Sequence, residues 1–466
     1  MLGQRMRLLI PIENQVRELD PKLLLGCIAA ERGFSSVIGS RREMEFNIDS
    51  FPQSIYLSKS MTVRSLLFFQ VARRFDIEIV AWDEEALVHL PPEIYFSRRL
   101  DRRAIKYVSH LFAWGEDNAR LWRHYPHLPH GIPIHITGNP RSDMLRPELQ
   151  PFYQKEIEEF RARYGDFILV NTNFNHVNAF GPDMNLFKPT RNSGQKAKFG
   201  RAARGMTREY AEGLRDHKQA VFEDFQCIIP KLEEAFPENA IVVRPHPTEN
   251  HEVYRKIADR CKRVFVTNDG NVVPWLIAAK AVIHNGCTTG VEAYVTRTPA
   301  ISYRSCINET YDNGFYRLPN QMSHQCFTFE ELRELLRSVL KGEIGAADGD
   351  ERRHLLDDNL AGKTGPLACE RMVDVLDKIS ANITAGKRSI SKSTQSWLLA
   401  RGLHLARKIK SSLPGSHNRP EFQRHRYPGI SMEALQAKLL QFQQLLGNNR
   451  KLKVAQISNV IFQISP

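Results

Sequence analysis

Five short stretches of this sequence hold reactive side chains in confined turns. The first is Val242-Val243-Arg244-Pro245-His246-Pro247-Thr248-Glu249. An apolar run ends at Arg244, and a proline on each side of His246 restricts the turn. A histidine held rigid at a strand end, with an arginine just before it, suits a phosphate. Both side chains donate hydrogen bonds to an anion that gains charge as it leaves. The plain alternative is a structural proline turn that exposes a histidine.

The second stretch is Val282-Ile283-His284-Asn285-Gly286-Cys287-Thr288-Thr289-Gly290-Val291-Glu292-Ala293. A buried strand runs into a turn of small residues, and a helix follows. Backbone N–H groups, two hydroxyls and the positive helix end would surround one point, a phosphate cradle without a Walker lysine. Asn285, Gly286, Thr288, Thr289 and Gly290 form that turn. Glu292, one helical turn on, would accept a ribose hydroxyl. The alternative is that Thr288 only caps the helix.

The third is Trp82-Asp83-Glu84-Glu85-Ala86, three consecutive acids after a strand. Neighbouring carboxylates raise one another's pKa, and one of Asp83, Glu84 and Glu85 would then act as general base. An ordinary acidic loop reads the same way. The fourth and fifth are Thr137-Gly138-Asn139-Pro140-Arg141-Ser142-Asp143 and Asn171-Thr172-Asn173-Phe174-Asn175-His176. In the fourth, Asn139 and Arg141 would meet an anionic sugar, or the segment is a structural turn. In the fifth, Asn171, Asn173 and Asn175 are unusually polar for a strand end and suit ligand or acceptor contacts.

Other chemistries lack their motifs. There is no G-x-x-x-x-G-K-[ST], H-E-x-x-H, G-x-S-x-G or G-x-G-x-x-G, and the 16 histidines form no metal-ligand spacing. Neither a metal nor a cofactor is expected.

These turns need a scaffold, and the hydrophobic pattern supplies one. Strands are expected at 7–12, 36–38, 77–82, 111–114 and 134–136. They are separated by helices, one starting at Asp20-Pro21 and another covering 63–75. After a charged helix at 151–164 the pattern restarts. Strands at 167–170, 240–244, 263–266, 281–284 and 300–302 alternate with helices near 207–235, 250–259, 273–279 and 288–296. The polar stretch 178–205 reads as a long mobile loop. Helices at 328–341 and 367–380 close the body. The fold class is α/β, two Rossmann-like doubly wound domains facing a cleft, with a C-terminal helical basic extension. The boundaries are 1–164, 165–365 for nucleotide-sugar binding, a closing helix at 366–385, and an extension at 386–466.

The chain has 466 residues and a formal net charge of +13, unevenly placed. Between Gly386 and Arg426 there are ten Lys/Arg against one acid, Glu421, so +9 lies in this segment. A helix over 395–410 would put Leu398, Leu399, Leu405, Ala406 and Ile409 on one face, and Arg401, His404, Arg407 and Lys408 on the other. A basic amphipathic helix suits an anionic inner-membrane surface. A solvated helix packed on the body is the alternative, and sparse aromatic interleaving argues against nucleic acid. Seven scattered cysteines without C-x-x-C spacing, no leader-like segment and no long apolar span point to the cytoplasm, where the basic helix would make the protein peripheral at the inner face of the plasma membrane.

The segments Ile10-Pro11-Ile12-Glu13, Arg17-Glu18-Leu19-Asp20, Trp82-Asp83-Glu84-Glu85, Gly138-Asn139-Pro140-Arg141, Arg244-Pro245-His246-Pro247 and His284-Asn285-Gly286-Cys287-Thr288-Thr289-Gly290 together resemble the bacterial surface carbohydrate biosynthesis protein family, over roughly residues 5–345. The same motifs are similar to GT-B-like transferases that use CMP-activated sialic acid or Kdo. The resemblance implies Glu84 or Glu85 as the catalytic carboxylate, His246 and Pro247 on the CMP phosphate and base, and Thr288 and Thr289 on the phosphate. Ala86 stands where that group has glycine. The implied activity is transfer of a sugar from a nucleotide-sugar donor, a CMP-ulosonic acid, to a glycan or lipid-linked acceptor. The rival readings are a nucleotide-sugar 2-epimerase, a CDP-polyol phosphotransferase and a non-catalytic assembly protein.

Overall fold

The computed structural model describes residues 6–190, 197–312, 316–383, 390–412, 419–448 and 450–466. The chain divides into two compact units. Unit 1 holds residues 1–87, 95–152 and 356–466, and unit 2 holds 88–94 and 153–355. The strands in chain order are β1 (Arg7–Ile12), β2 (Ser35–Ser40), β3 (Ser54–Ser58), β4 (Glu78–Ala81), β5 (His110–Ala113) and β6 (Ile134–Ile136) in unit 1. Unit 2 follows with β7 (Phe167–Asn171), β8 (Ala240–Arg244), β9 (Val264–Val266), β10 (Ala281–His284), β11 (Ala300–Tyr303) and β12 (His324–Cys326). The chain then returns to unit 1 with β13 (Lys453–Ser458) and β14 (Ile461–Ser465).

In unit 1 the sheet order is β13-β14-β2-β1-β3-β4-β5-β6. Strands β1 to β6 pair in parallel, and β14 runs antiparallel to β2. Order reverses between β1 and β3, which makes that crevice the switch point. Unit 2 carries an all-parallel sheet in the order β12-β11-β10-β7-β8-β9, with its switch point between β7 and β10. Its core gathers Phe174, Phe222, Phe225, Ile241 and Ile283, and the long helix Arg208–Ala235 packs on β8 and β9.

Several expectations need correction. The first helix spans Gln15–Glu31 with Asn14 as its N-cap, so Pro21 lies inside it and not at its start. Residues 18 to 30 of that helix are all buried, as expected for a helix covered on every side. Strand β3 was not anticipated. The extension is not purely helical, because its last residues form the β13–β14 hairpin at the edge of the first sheet. Gly39 admits it: a Cβ there would lie 2.1 Å from the Val460 carbonyl oxygen. The expected closing helix is Ala368–Asn382, and its first turn is held within unit 1. Asp143 accepts from the backbone N–H of Ala368 and Cys369, each at 2.8 Å.

The stretch expected as a mobile loop packs Leu186, Phe187 and Ala203 against Ala211 and Leu214 of the helix Arg208–Ala235. Residues 191–196 of it lie outside the described residues. All seven cysteines are free. Among the described residues, no helix is long and apolar enough to cross a membrane.

Candidate functional site

In unit 2 the ends of three neighbouring strands set one row across the sheet. His284 of β10 pairs in register with Asn171 of β7, which pairs in register with Arg244 of β8. This row lies at the switch point, where open α/β sheets bind ligands. Asn171 is 3% exposed and Asn285 is 5% exposed. Among the described residues, no protein group reaches the Oδ1 or Nδ2 of either side chain. A buried amide without a partner costs about 1–3 kcal/mol. Asn171 ends β7 in register with His284, and Asn285 is the residue that follows His284.

The turn after β10 is shaped around His284. Its Nδ1 accepts from the Gly286 N–H at 2.9 Å, and its Nε2 lies 2.8 Å from the Ser323 hydroxyl. Burial, aided by Arg304, pulls the imidazole down to about 3, so the ring is neutral. With Nδ1 accepting, the proton sits on Nε2. Gly286 takes φ +85°, a conformation that side chains disfavour. Thr288 is half-buried and makes no side-chain capping bond, so the simple capping alternative does not hold. Thr289 is half-buried and its hydroxyl contacts the Cys287 thiol. Glu292 is buried in the following helix.

Around His246 the pattern differs from expectation. Arg244 does not stand ready for a phosphate. Its guanidinium donates to the carbonyls of Asp269 (2.8 Å) and Gly270 (2.5 Å) and lies over the Trp275 ring at 5.5 Å. Burial, opposed by Asp269, pulls it down to about 10. Arg244 therefore ties the loop after β9 to the end of β8. His246 is half-buried; its Nδ1 accepts from the Thr248 N–H at 3.3 Å and lies 2.8 Å from the Thr248 hydroxyl. That contact puts the proton of a neutral ring on Nε2. Pro247 is half-buried beside it.

Glu249 organises the turn, a role the sequence reading missed although the residue closes the motif. Its Oε1 accepts from Thr172 Oγ1 (2.9 Å) and the His246 N–H (3.1 Å), and its Oε2 from the Tyr254 hydroxyl (2.7 Å). Burial raises this carboxyl against those hydrogen bonds. Asn175 donates to Thr248 Oγ1 at 3.4 Å, and Asn173 is half-buried.

A second missed group is Lys218. It is buried on the helix Arg208–Ala235, with its Nζ 3.6 Å from the centre of the Tyr316 ring and 3.7 Å from Asp312. Tyr316 packs against Gly286, where a Cβ would meet its ring at 2.8 Å. Burial, opposed by Asp312, brings the amine down to about 8.

In unit 1 each of the three consecutive acids faces a cation. Asp83 accepts from Arg99 Nε (2.9 Å), the Tyr95 hydroxyl (2.8 Å) and the Glu85 N–H (3.1 Å). Glu84 accepts from Trp82 Nε1 at 2.9 Å and lies 3.6 Å from Lys22 Nζ. Glu85, the most exposed of the three, meets Arg17 at 2.5 Å. Burial alone would raise the Glu85 carboxyl; Arg17, Arg99, Arg141 and Lys59 outweigh it and hold it at about 2.

Behind the trio lies a buried network that the sequence did not disclose as a site. Glu18 accepts from the N–H groups of Glu13 (3.0 Å) and Asn14 (3.2 Å), from Lys22 (2.7 Å) and from Lys59. Glu13 in turn meets Lys59, Arg41 and Arg426. Its position after β1, beside Lys59 after β3, is the switch point of the first sheet. The Thr137–Asp143 segment is a structural turn at Asn139, which accepts from the Arg141 N–H at 3.0 Å. Arg141 nonetheless reaches the acidic motif, over the Trp114 ring at 5.6 Å and 3.5 Å from the Glu84 carbonyl. Asp143 is raised to about 6 by burial, against the helix N–H groups it caps.

No protein-family model matches the chain, and no curated protein matches it. Among solved structures it is similar to the wall teichoic acid polymerase TagF soaked with CDPG. The TM-score is 0.51 at 11% identity, over 80% of this chain and 88% of that one. A TagF variant aligns with a TM-score of 0.50 at 10% identity, over 81% and 90%. UDP-GlcNAc 2-epimerase from Methanocaldococcus jannaschii aligns with a TM-score of 0.48 at 12% identity, over 80% and 100%. At these identities the likeness is one of fold: α/β and GT-B-like, with two Rossmann-like sheets and additional C-terminal helices and strands.

Proposed function

We propose that this chain is an enzyme of bacterial surface-carbohydrate assembly. In this reading it binds the nucleotide of an activated donor at the switch point of its second sheet. It then transfers the activated group to a glycan or lipid-linked acceptor. The observation that carries the reading is the pair of buried amides without a partner among the described residues, Asn171 at the end of β7 and Asn285 just after β10. Each amide offers a donor and an acceptor together, which suits hydroxyls or a base edge better than a phosphate, whose oxygens only accept. Phosphate contacts are assigned to His246 Nε2–H, the Thr288 and Thr289 hydroxyls and Lys218. Glu292 is assigned to a ribose hydroxyl.

Two donor chemistries fit that site. A CMP-ulosonic acid would transfer its sugar, with Glu85 or Glu84 taking the acceptor proton. A CDP-linked polyol would transfer its phosphoryl-alcohol group. The second reading gains support from Glu85, because a carboxylate held at about 2 is a weak base. The solved TagF structure soaked with CDPG makes a CDP-polyol the first donor to test.

The test is a titration of CMP, CDP, UDP and GDP into the wild type and the Asn171→Ala/Asn285→Ala variant. The expected result is a preference for cytidine nucleotides and at least a tenfold loss of affinity in the variant. Ligand-free melting temperature should not fall, because removing two unsatisfied buried amides offsets the lost packing. Equal affinity in the variant would remove the amides from the site. A preference for UDP would move the reading to an epimerase or a UDP-sugar enzyme, and absence of nucleotide binding would leave an assembly protein.

Lys218 adds a pH signature. Its positive charge favours an anion and is lost as pH rises through about 8. Nucleotide affinity of the wild type should therefore weaken from pH 7 to pH 9, and Lys218→Met should bind weakly with little pH dependence. The same pH slope in both proteins would exclude the lysine.

A further inference from the structure

We infer that the helix Ile390–Ser412 docks on an anionic lipid surface through the side that carries Leu398, Leu405 and Ile409. Among its described side chains, the helix meets the rest of unit 1 through Ser396, Ala400 and His404. Ser396 and Ala400 are buried, and the His404 ring lies 5.2 Å from Phe46. Ala400 belongs to the unit 1 core, beside Ile48, Phe68 and Val71. At 3.6 residues per turn, Leu398, Leu405 and Ile409 sit roughly 140–180° round the helix from that docked face. They are 59%, 59% and 60% exposed, and the Trp397 ring is also exposed. The apolar row thus points away from the body it would cover if the helix were merely packed there. The side chains of Ala406 and Arg407 lie outside the described residues.

Large aliphatic side chains exposed along one helix face mark an interaction surface, and burying them is favourable. The charge beside them selects the partner. Arg401, which comes within 4.0 Å of Asp49 and lies over the Trp397 ring, and the exposed Lys408 flank the row. The segment from Gly386 to Arg426 carries ten Lys/Arg against the single acid Glu421. A second copy would bring two such basic fields together, which opposes self-association. An anionic bilayer attracts each cation and accepts the aliphatic side chains into the acyl boundary. No described helix can span a bilayer, so the helix would lie in the interface plane.

Point substitutions test this better than truncation, because truncation would strip β14 from its partner β2. The full chain is sedimented with phosphatidylcholine vesicles with and without phosphatidylserine, alongside Leu405→Glu/Ile409→Glu. Light scattering gives the oligomeric state of both proteins. The expected result is binding to the phosphatidylserine vesicles only, reduced at least tenfold in the variant. Melting temperature and nucleotide affinity should be unchanged, since both positions are exposed. Failure of the wild type to bind anionic vesicles overturns the inference, as does equal binding by the variant. A wild-type dimer that the substitutions dissociate, without vesicle binding, assigns the face to a second copy and also overturns it.

Discussion

Gly290→Ala is expected to reduce nucleotide binding at least tenfold and to lower the melting temperature of unit 2. The new Cβ would lie 2.6 Å from His284 Nε2 and 2.8 Å from Cε1, with the Pro319 carbonyl at 3.2 Å. The ring cannot swing away cheaply. One nitrogen is held by the Gly286 N–H and the other lies against the Ser323 hydroxyl, which itself donates to the Pro319 carbonyl at 2.9 Å. Overpacking of this kind costs about 1–3 kcal/mol. Relief would have to come from shifting the helix Thr289–Val295 or breaking the turn that holds Asn285. Either movement displaces the residues assigned to the donor. Gly402→Ala is the control: nothing stands within 4 Å of a Cβ there, and alanine in a helix should stabilise by up to about 1 kcal/mol. Calorimetric titration and thermal melting of the two variants decide the matter. Wild-type nucleotide affinity in Gly290→Ala would show that the cradle tolerates displacement and does not position the donor.

The sequence disclosed the second sheet better than the first, for a physical reason. Strands β7, β8 and β10 are apolar runs that each end on a polar residue, and their boundaries follow from local pattern alone. In contrast, β3 is a five-residue strand with serines at both ends, SIYLS, and offers little pattern to read. Strand β14 is legible only beside β2, more than 400 residues earlier in the chain. The site residues divide in the same way. The contacts of Gly286 and His246 lie within their own turns, where local spacing can be read. Arg244 looked like a phosphate ligand because its targets, the carbonyls of Asp269 and Gly270, lie 25 and 26 residues downstream. The acids at 83–85 seemed to repel one another because their cations come from elsewhere, among them Arg17, Lys22 and Arg99.

That network sets up the other large effect: Glu18→Gln should destabilise the protein by about 3–5 kcal/mol, the usual cost of stranding a partner in a buried ion pair. Glutamine keeps the shape, but it removes the charge that faces Lys22 and Lys59 and points an N–H₂ group toward one of them. Burial by itself would raise the Glu18 carboxyl; Lys22 and then Lys59 reverse that and hold it well below the usual carboxylate range. A depressed folded-state value means the stabilisation is complete above the ordinary value of 4.5 and is lost as pH falls. The gap in stability between wild type and Glu18→Gln should thus be full at pH 7 and shrink below about pH 4.5. The exposed pair Lys155–Glu159, 3.9 Å apart on one helix, is the contrast. Lys155→Ala there should change stability by no more than about 0.5 kcal/mol. Denaturant melts at the two pH values measure both. If Glu18→Gln behaved like Lys155→Ala, the buried charges would be solvated in solution. Lys22 would then no longer be fixed between Glu18 and Glu84, and the acidic motif would lose the support that places it beside the switch point of the first sheet.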